Sequence, residues 1–308
     1  MRSSVVDQPA VRSGHAMSYD GAHAQVVLFG GVRNDRWLAD TWLWDGTRWA
    51  SQNPAASPTP RVGHALAYDA ANEKIVLFGG SSNTDLGDTW TWDGTNWTQQ
   101  SPAHHPSARV YPAMAFDRAS RRVLLFGGHS QNGSGYLSDT WAWDGKDWTE
   151  LSPAHHPAVR FATAMAAEPK TRGLVLFGGY NFKGFLKDTW VWNGKDWIEQ
   201  SPAERPPARN FHAMAYAANE NLAILFGGFN YHFFSDTWEW DGSNWQQRSP
   251  VPSPAPRDHS ALAYDDRARA AVLFGGNDGL GVNHALGDTW QWGRPTSLGL
   301  GLGSNPHP

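Results

Sequence analysis

Asp88-Thr89-Trp90-Thr91-Trp92-Asp93-Gly94-Thr95-Asn96-Trp97 is the stretch whose reading decides the fold. It recurs at Asp40–Trp49, Asp139–Trp148, Asp188–Trp197 and Asp236–Trp245, with Asn193 replacing the second Asp in the fourth copy. A sixth copy starts at Asp288 and stops after Trp292. A phrase repeated along a chain marks a repeat architecture. Trp90 and Trp92 are two residues apart, so on a strand they share one face. Asp93-Gly94 is a hairpin turn signal, because Gly adopts positive φ without steric cost and Asp tolerates it. A two-residue turn would set Trp97 opposite Trp90, and a four-residue turn would set it opposite Trp92. Either register gives a cross-strand Trp pair, a unit of sheet stabilisation. The phrase therefore reads first as a packing device.

Composition limits the alternatives. The 308-residue chain has a net charge of −4 and no long basic run, which argues against a surface that tracks phosphates. It has no cysteine, so disulfides, thiolate metal sites and cysteine nucleophiles are excluded. Residues 1–9 hold one Arg and no apolar core, so no signal peptide is expected, and no apolar run is long enough to span a membrane. A cytoplasmic location is favoured over a secreted form that has lost its leader. The 18 Trp, 32 Gly and 20 Pro suit strands and turns better than helices.

Each repeat has four segments. The first opens with an Arg, at positions 12, 61, 109, 160, 209 and 257. The second is an apolar run ending in Gly-Gly, such as Ile75-Val76-Leu77-Phe78-Gly79-Gly80, whose continuous apolar character fits a strand buried on both faces. A variable loop, the Trp-bearing strand, the turn and a last strand follow. A Pro-rich connection such as Ser101-Pro102-Ala103-His104-His105-Pro106 ends the outer strand, since Pro has no N–H for the ladder.

Phe-Gly-Gly at residues 29, 78, 126, 177, 226 and 274, together with the downstream Trp residues and a period near 50, resembles the kelch repeat. The resemblance implies an all-β, six-bladed β-propeller of four-stranded antiparallel blades, of the type also found in the central domain of galactose oxidase. The expected organisation is an N-terminal segment 1–11, one propeller over 12–293 and a C-terminal tail 294–308. Closure of the last blade is expected from the tail, through Ser297–Leu302, rather than from Arg2–Asp7.

Spacing indicates which face is functional. The step from the opening Arg to the second Gly is 19 residues in all six repeats, and the step from the Asp of Asp-Thr-Trp to the next Arg is 21 in all five complete cases. Only the step between them varies, as 9, 8, 11, 9, 8 and 12. Length variation is thus confined to the loop between strands two and three. In an up-and-down blade this loop leaves from the same end as the Arg-bearing starts. Binding residues concentrate in variable loops on a rigid scaffold, so the site is expected on this Arg face.

The candidate ligand contacts there are Trp37, Tyr111, His129, Phe161, Tyr180, Phe182, Phe211, Phe229, Tyr231, His232, His259 and Asn277. Seventeen of the 18 Trp belong to the repeated phrase, and Trp37 alone lies in a variable loop. The second residue after each Arg also changes between repeats: Gly14, Gly63, Tyr111, Ala162, Phe211 and His259. Aromatic residues crowd these positions in repeats three to five, which points to an apolar surface or pocket. The six Arg residues have two readings. Each can pair with the Asp that opens strand three. Alternatively, resemblance to kelch domains of ubiquitin-ligase adaptors, whose arginines hold acidic peptides, implies ligand contacts from Arg109, Arg160 and Arg209.

His15, His64 and His212 share one repeat position and read as hydrogen-bonding groups between blades. No metal site and no cofactor are expected. Galactose-oxidase-like enzymes carry copper and a Tyr–Cys crosslink, which a chain without cysteine cannot form. The Glu-x-x-x-Asp-x-x-x-His pattern of iron-binding nitrile-specifier proteins is absent. The sequence thus points to a monomeric binding module for an apolar or aromatic small molecule, or for a short acidic peptide or protein segment. One alternative is a metal-independent cyclase, isomerase or lyase, with His259, Asp258 and His129 as acid–base candidates. Another is a secreted carbohydrate binder.

Overall fold

The structure, a computed structural model, describes residues 8–131, 135–280 and 284–293. Strands run as antiparallel meanders, and there is no helix among the described residues. Five sheets have four strands each, and the sixth has three among the described residues. The second sheet shows the pattern, with Ala65–Asp69, Lys74–Phe78, Thr89–Trp92 and Trp97–Gln99 from inside to outside. In the sixth the strands are Ala261–Asp265, Ala270–Phe274 and Thr289–Trp292. The two segments expected to close it, residues 2–7 and 297–302, lie outside the described residues.

The turn in the repeated phrase is the four-residue one: Trp97 lies opposite Trp92. Asp93 makes it, its Oδ1 accepting the backbone N–H groups of Thr95 and Asn96. The paired rings tilt against each other with centroids 5.4 Å apart. They do not pack within their own blade alone. Trp90, Trp92 and Trp97 join Val27 and Phe29 of the blade before. Each core cluster unites two neighbouring blades in this way, and the cluster of Trp42, Trp44 and Trp49 with Val272 and Phe274 joins the first blade to the last. A buried Trp removes roughly 150–250 Å² from water, an upper contribution of about 4–6 kcal/mol per ring.

Two polar devices lock the blades. In the first, the indole N–H of the outer-strand Trp donates to a Thr hydroxyl of the preceding blade: Trp97 to Thr41, Trp148 to Thr89, Trp197 to Thr140, Trp245 to Thr189 and Trp49 to Thr289. In the second, the Arg opening each repeat enters its blade and meets the Asp of Asp-Thr-Trp. Arg61 donates to both carboxylate oxygens of Asp88 at 2.7 and 2.8 Å and to the Gly79 carbonyl at 3.0 Å, while the Trp90 indole donates to the same carboxylate. Asp and Trp are two residues apart because both must reach that point from one face of the strand.

Backbone hydrogen bonds close the circle. Gly80 donates to the Arg109 carbonyl at 2.9 Å, and equivalent bonds run round the ring to Gly276 and Arg12. A glycine is required beside this crossing. Gly79 has φ +70°, and a Cβ there would lie 2.7 Å from the Arg109 carbonyl oxygen. No helix is long and apolar enough to cross a membrane among the described residues.

Candidate functional site

The second residue after each Arg comes to the propeller axis. These six residues form a closed hydrogen-bonded ring. Gly63 donates to Gly14, Tyr111 to Gly63, Ala162 to Tyr111, Phe211 to Ala162, His259 to Phe211, and Gly14 to His259, over 2.6–3.1 Å. The geometry forces all six into left-handed backbone, with φ +63°, +67°, +50°, +52°, +52° and +49° from Gly14 to His259. Glycine takes this conformation freely, whereas other L-residues pay about 1–2 kcal/mol. Repeats one and two use glycine. The other four place side chains there despite the cost.

Three of those side chains are rings that meet at the axis. Phe211 stacks on His259 at 3.6 Å, and Tyr111 lies edge-on to Phe211 at 5.0 Å and to His259 at 5.6 Å. The small residues opposite make room. A Cβ on Gly63 would lie 2.9 Å from the Tyr111 ring.

From the axis the aromatic surface spreads over blades three to five. Phe161 touches Tyr111 and Phe211 and stacks with Tyr136 at 5.5 Å. Tyr180 packs on Phe161 and on Phe185, and Phe185 continues to Phe229 and Tyr231. Tyr231 is 87% exposed, so the outer end of the chain of rings faces solvent, and Phe182, at the tip of the Tyr180–Phe185 hairpin, is 71% exposed. The variable loops and the starts of strand one do lie together: Val110 bridges His129, Phe161 bridges Tyr180, Asn210 bridges Phe229 and Asp258 bridges Asn277.

The longer loop of repeat three is a pair of nine-residue strands, Arg122–Ser130 and Gly135–Trp143, with a register shift at Phe126/Gly128. The Gln131 N–H donates to Asp85 of the previous blade at 2.6 Å, which anchors this arm. The arm carries Tyr136, which the sequence reading does not single out. The available signal was the 11-residue step that holds it.

Other candidates sort as follows. His129 meets Tyr136 at 5.1 Å and Phe161 at 6.0 Å, with no carboxylate partner among the described residues. His232 packs on Phe234, whose ring covers the Arg209 guanidinium at 3.9 Å. Asn277 sits beside Asp258, its Oδ1 accepting the Gly279 N–H. Trp37 pairs with Val32 in a short hairpin of blade one and has no ring contact with the aromatic chain. Asp258 is buried, with Oδ1 2.9 Å from His259 Nδ1, but the approach lacks hydrogen-bond alignment.

The ligand role expected for Arg109, Arg160 and Arg209 is corrected. Their side chains are 1%, 0% and 0% exposed and bind Asp139, Asp188 and Asp236 through both carboxylate oxygens. A guanidinium with all its faces enclosed by its own blade is not presented to a ligand. Burial alone would push the pairing carboxyls up, but the arginine bonds and charge outweigh it and hold Asp188 and Asp236 below the ordinary carboxylate range.

His15, His64 and His212 turn ring edges to Phe274, Phe29 and Phe177 of the preceding blade at 5.4–5.6 Å. Burial, followed by the nearby Arg61 or Arg209 charge, holds His64 and His212 down to about 3. Burial, followed by the Arg12 charge, holds His15 well below the usual histidine range. No group of three or more His, Asp or Glu among the described residues is placed to hold a metal. A groove of about 560 Å³ lies at the outer edge of blade five along Trp245–Arg248, away from the aromatic surface.

The model of the KLHDC2/KLHL20/DRC7 kelch-repeats domain matches residues 48–198. The protein is a kelch-repeat β-propeller. The solved structure of YjhT matches this propeller with a TM-score of 0.71 at 13% sequence identity, covering 93% of this chain and 96% of that one. At that identity the likeness bears on the fold alone. No curated protein matches the chain.

Proposed function

We propose that this kelch propeller is a binding module whose aromatic surface, from Tyr111, Phe211 and His259 at the axis to Phe229 and Tyr231 on blade five, takes an apolar or aromatic ligand. The observation that carries this reading is the left-handed backbone at Tyr111, Phe211 and His259. Non-glycine residues held in that conformation cluster at ligand sites, where the surrounding structure offsets the strain. A continuous set of rings gives large contact area at low entropic cost. Enclosure of the six arginines removes the anchor for an acidic peptide, so the reading narrows to the apolar ligand. A ligand-observed NMR screen with aromatic fragments tests it. Hits should lose at least tenfold in affinity for the folded Phe211→Ala/Phe229→Ala variant, and unchanged affinity would refute the site.

A second reading follows from the 2.9 Å approach of Asp258 to His259 beside the axis. A small displacement would align them as an acid–base pair under the ligand. Turnover of a bound ligand that disappears in His259→Gln, with binding retained, would favour this enzyme reading.

A further inference from the structure

The residue immediately after each opening Arg forms a second circle around the axial ring: Ser13, Val62, Val110, Phe161, Asn210 and Asp258. Each is held by a bridge to the variable loop of its own blade. The circle is divided by chemistry. Blades two to four supply Val62, Val110 and Phe161, whereas blades five, six and one supply Asn210, Asp258 and Ser13. The polar half therefore borders the stack of Phe211 on His259, the residues that follow Asn210 and Asp258 in the chain.

Two acceptors in that half lack donors. Asn210 and Asp258 are each 5% exposed, and neither Asn210 Oδ1 nor Asp258 Oδ1 has a hydrogen-bond partner among the described residues. His259 Nδ1 comes within 2.9 Å of Asp258, but its ring, lying on Phe211 at 3.6 Å, is out of line for a hydrogen bond. The other described basic groups at this end of blade six are committed. Arg257 binds both carboxylate oxygens of Asp288, and His284 meets Asp278 at 2.8 Å. Burial first, and then the charge of Asp258, pushes the Tyr111 hydroxyl above its ordinary pKa, so that charge is felt at the axis. A buried carboxylate without an aligned donor is poorly compensated, and a ligand cation would supply what is missing. An ammonium group suits both halves of the site, since it donates three hydrogen bonds and is attracted to aromatic faces.

We propose that the ligand of the aromatic surface carries a primary ammonium group, received by the Asp258 carboxylate and the Asn210 amide oxygen, while its apolar body lies on Tyr111, Phe161 and Phe211. The inference rests on the aromatic-surface reading above and adds the charge of the ligand to it. Three fragments of similar shape test it by ligand-observed NMR at neutral pH: phenethylamine as the cation, phenethyl alcohol as the neutral form and hydrocinnamate as the anion. The amine should bind at least about tenfold tighter than the alcohol, the effect of one hydrogen bond to a charge, and hydrocinnamate should bind most weakly. In Asp258→Asn the amine and the alcohol should bind alike. The ranking on the unaltered protein keeps the test open if that variant does not fold, and Asn210→Ala should narrow the preference for the amine. Equal affinities for amine and alcohol in the unaltered protein would overturn the proposal and place the counter-charge of Asp258 on His259. A preference for the amine that survives Asp258→Asn would overturn it as well. In either case, weaker binding of both fragments to Phe211→Ala/Phe229→Ala would leave the aromatic reading standing. Absence of binding by all three fragments would overturn both.

Discussion

Phe211 and His259 stack with centroids 3.6 Å apart and planes 23° apart, while the His259 N–H donates to the Phe211 carbonyl at 3.1 Å. Blades five and six are thus joined at the axis by two contacts from the same pair of residues. Both residues are in left-handed backbone, and this ties the ring's hydrogen bonding to the display of its side chains.

That strain can be measured. Ala162 has φ +52° and only a methyl side chain, so Ala162→Gly should stabilise the protein by up to about 1 kcal/mol in urea unfolding. Gly63→Ala should cost about 2–4 kcal/mol, because its Cβ would enter left-handed space and also meet the Tyr111 ring at 2.9 Å. Equal effects of opposite substitutions at the two positions would contradict this account.

The indole–threonine lock gives a second contrast. Thr41 accepts the Trp97 N–H at 2.9 Å, whereas the buried Thr237 hydroxyl, at the same repeat position, has no partner among the described residues. Thr41→Val should cost about 1–3 kcal/mol by stranding a buried indole N–H, and Thr237→Val should be neutral or slightly stabilising. Denaturant midpoints of the two variants provide the check.

Arg61 and Asp88 illustrate the buried pairs. Asp88→Asn should lower stability by about 3–5 kcal/mol, since it leaves an enclosed guanidinium uncompensated. An exposed ion pair would lose less than about 1 kcal/mol, so a small loss would place the guanidinium in contact with water.

Stability should fall in two stages on acidification. Folded His15, His64 and His212 resist protonation, so below the ordinary value of 6.5 the unfolded chain binds more protons and stability declines as pH drops. Asp40, Asp88, Asp188, Asp236 and Asp288 are depressed below 3.8 against the push of burial, chiefly by their arginine partners. Their contribution is complete above that value and is lost as pH falls through the folded pKa values. His64→Phe should remove about one proton from the slope between pH 6 and 4, while the further loss as the aspartates titrate at still lower pH should remain.

The sequence carried the strands plainly, because periodicity and turn residues act locally. The Trp phrase, the Phe-Gly-Gly ends and the confinement of length change to one loop all correspond to the structure. It also placed Tyr111, Phe161, Tyr180, Phe211 and Phe229 on one face, where they meet. The role of the arginines was less legible. A charge pairing 27 residues away leaves no local pattern in the sequence, and it is the 2.7 Å contact of Arg61 with Asp88 that separates the pairing role from the ligand role. Tyr136 was hidden for a similar reason: whether an 11-residue step forms a loose loop or a raised strand pair depends on Asp85 of another blade. Trp37 drew notice by its isolation in sequence, and it is also isolated from the other rings in space.

The crystal structure of the protein with its tightest aromatic fragment tests the central claim most directly. The account predicts the fragment against Tyr111, Phe161, Phe211 and Phe229, between the axis and blades four and five. A fragment seated instead in the groove along Trp245–Arg248, with the axial rings uncovered, would contradict it.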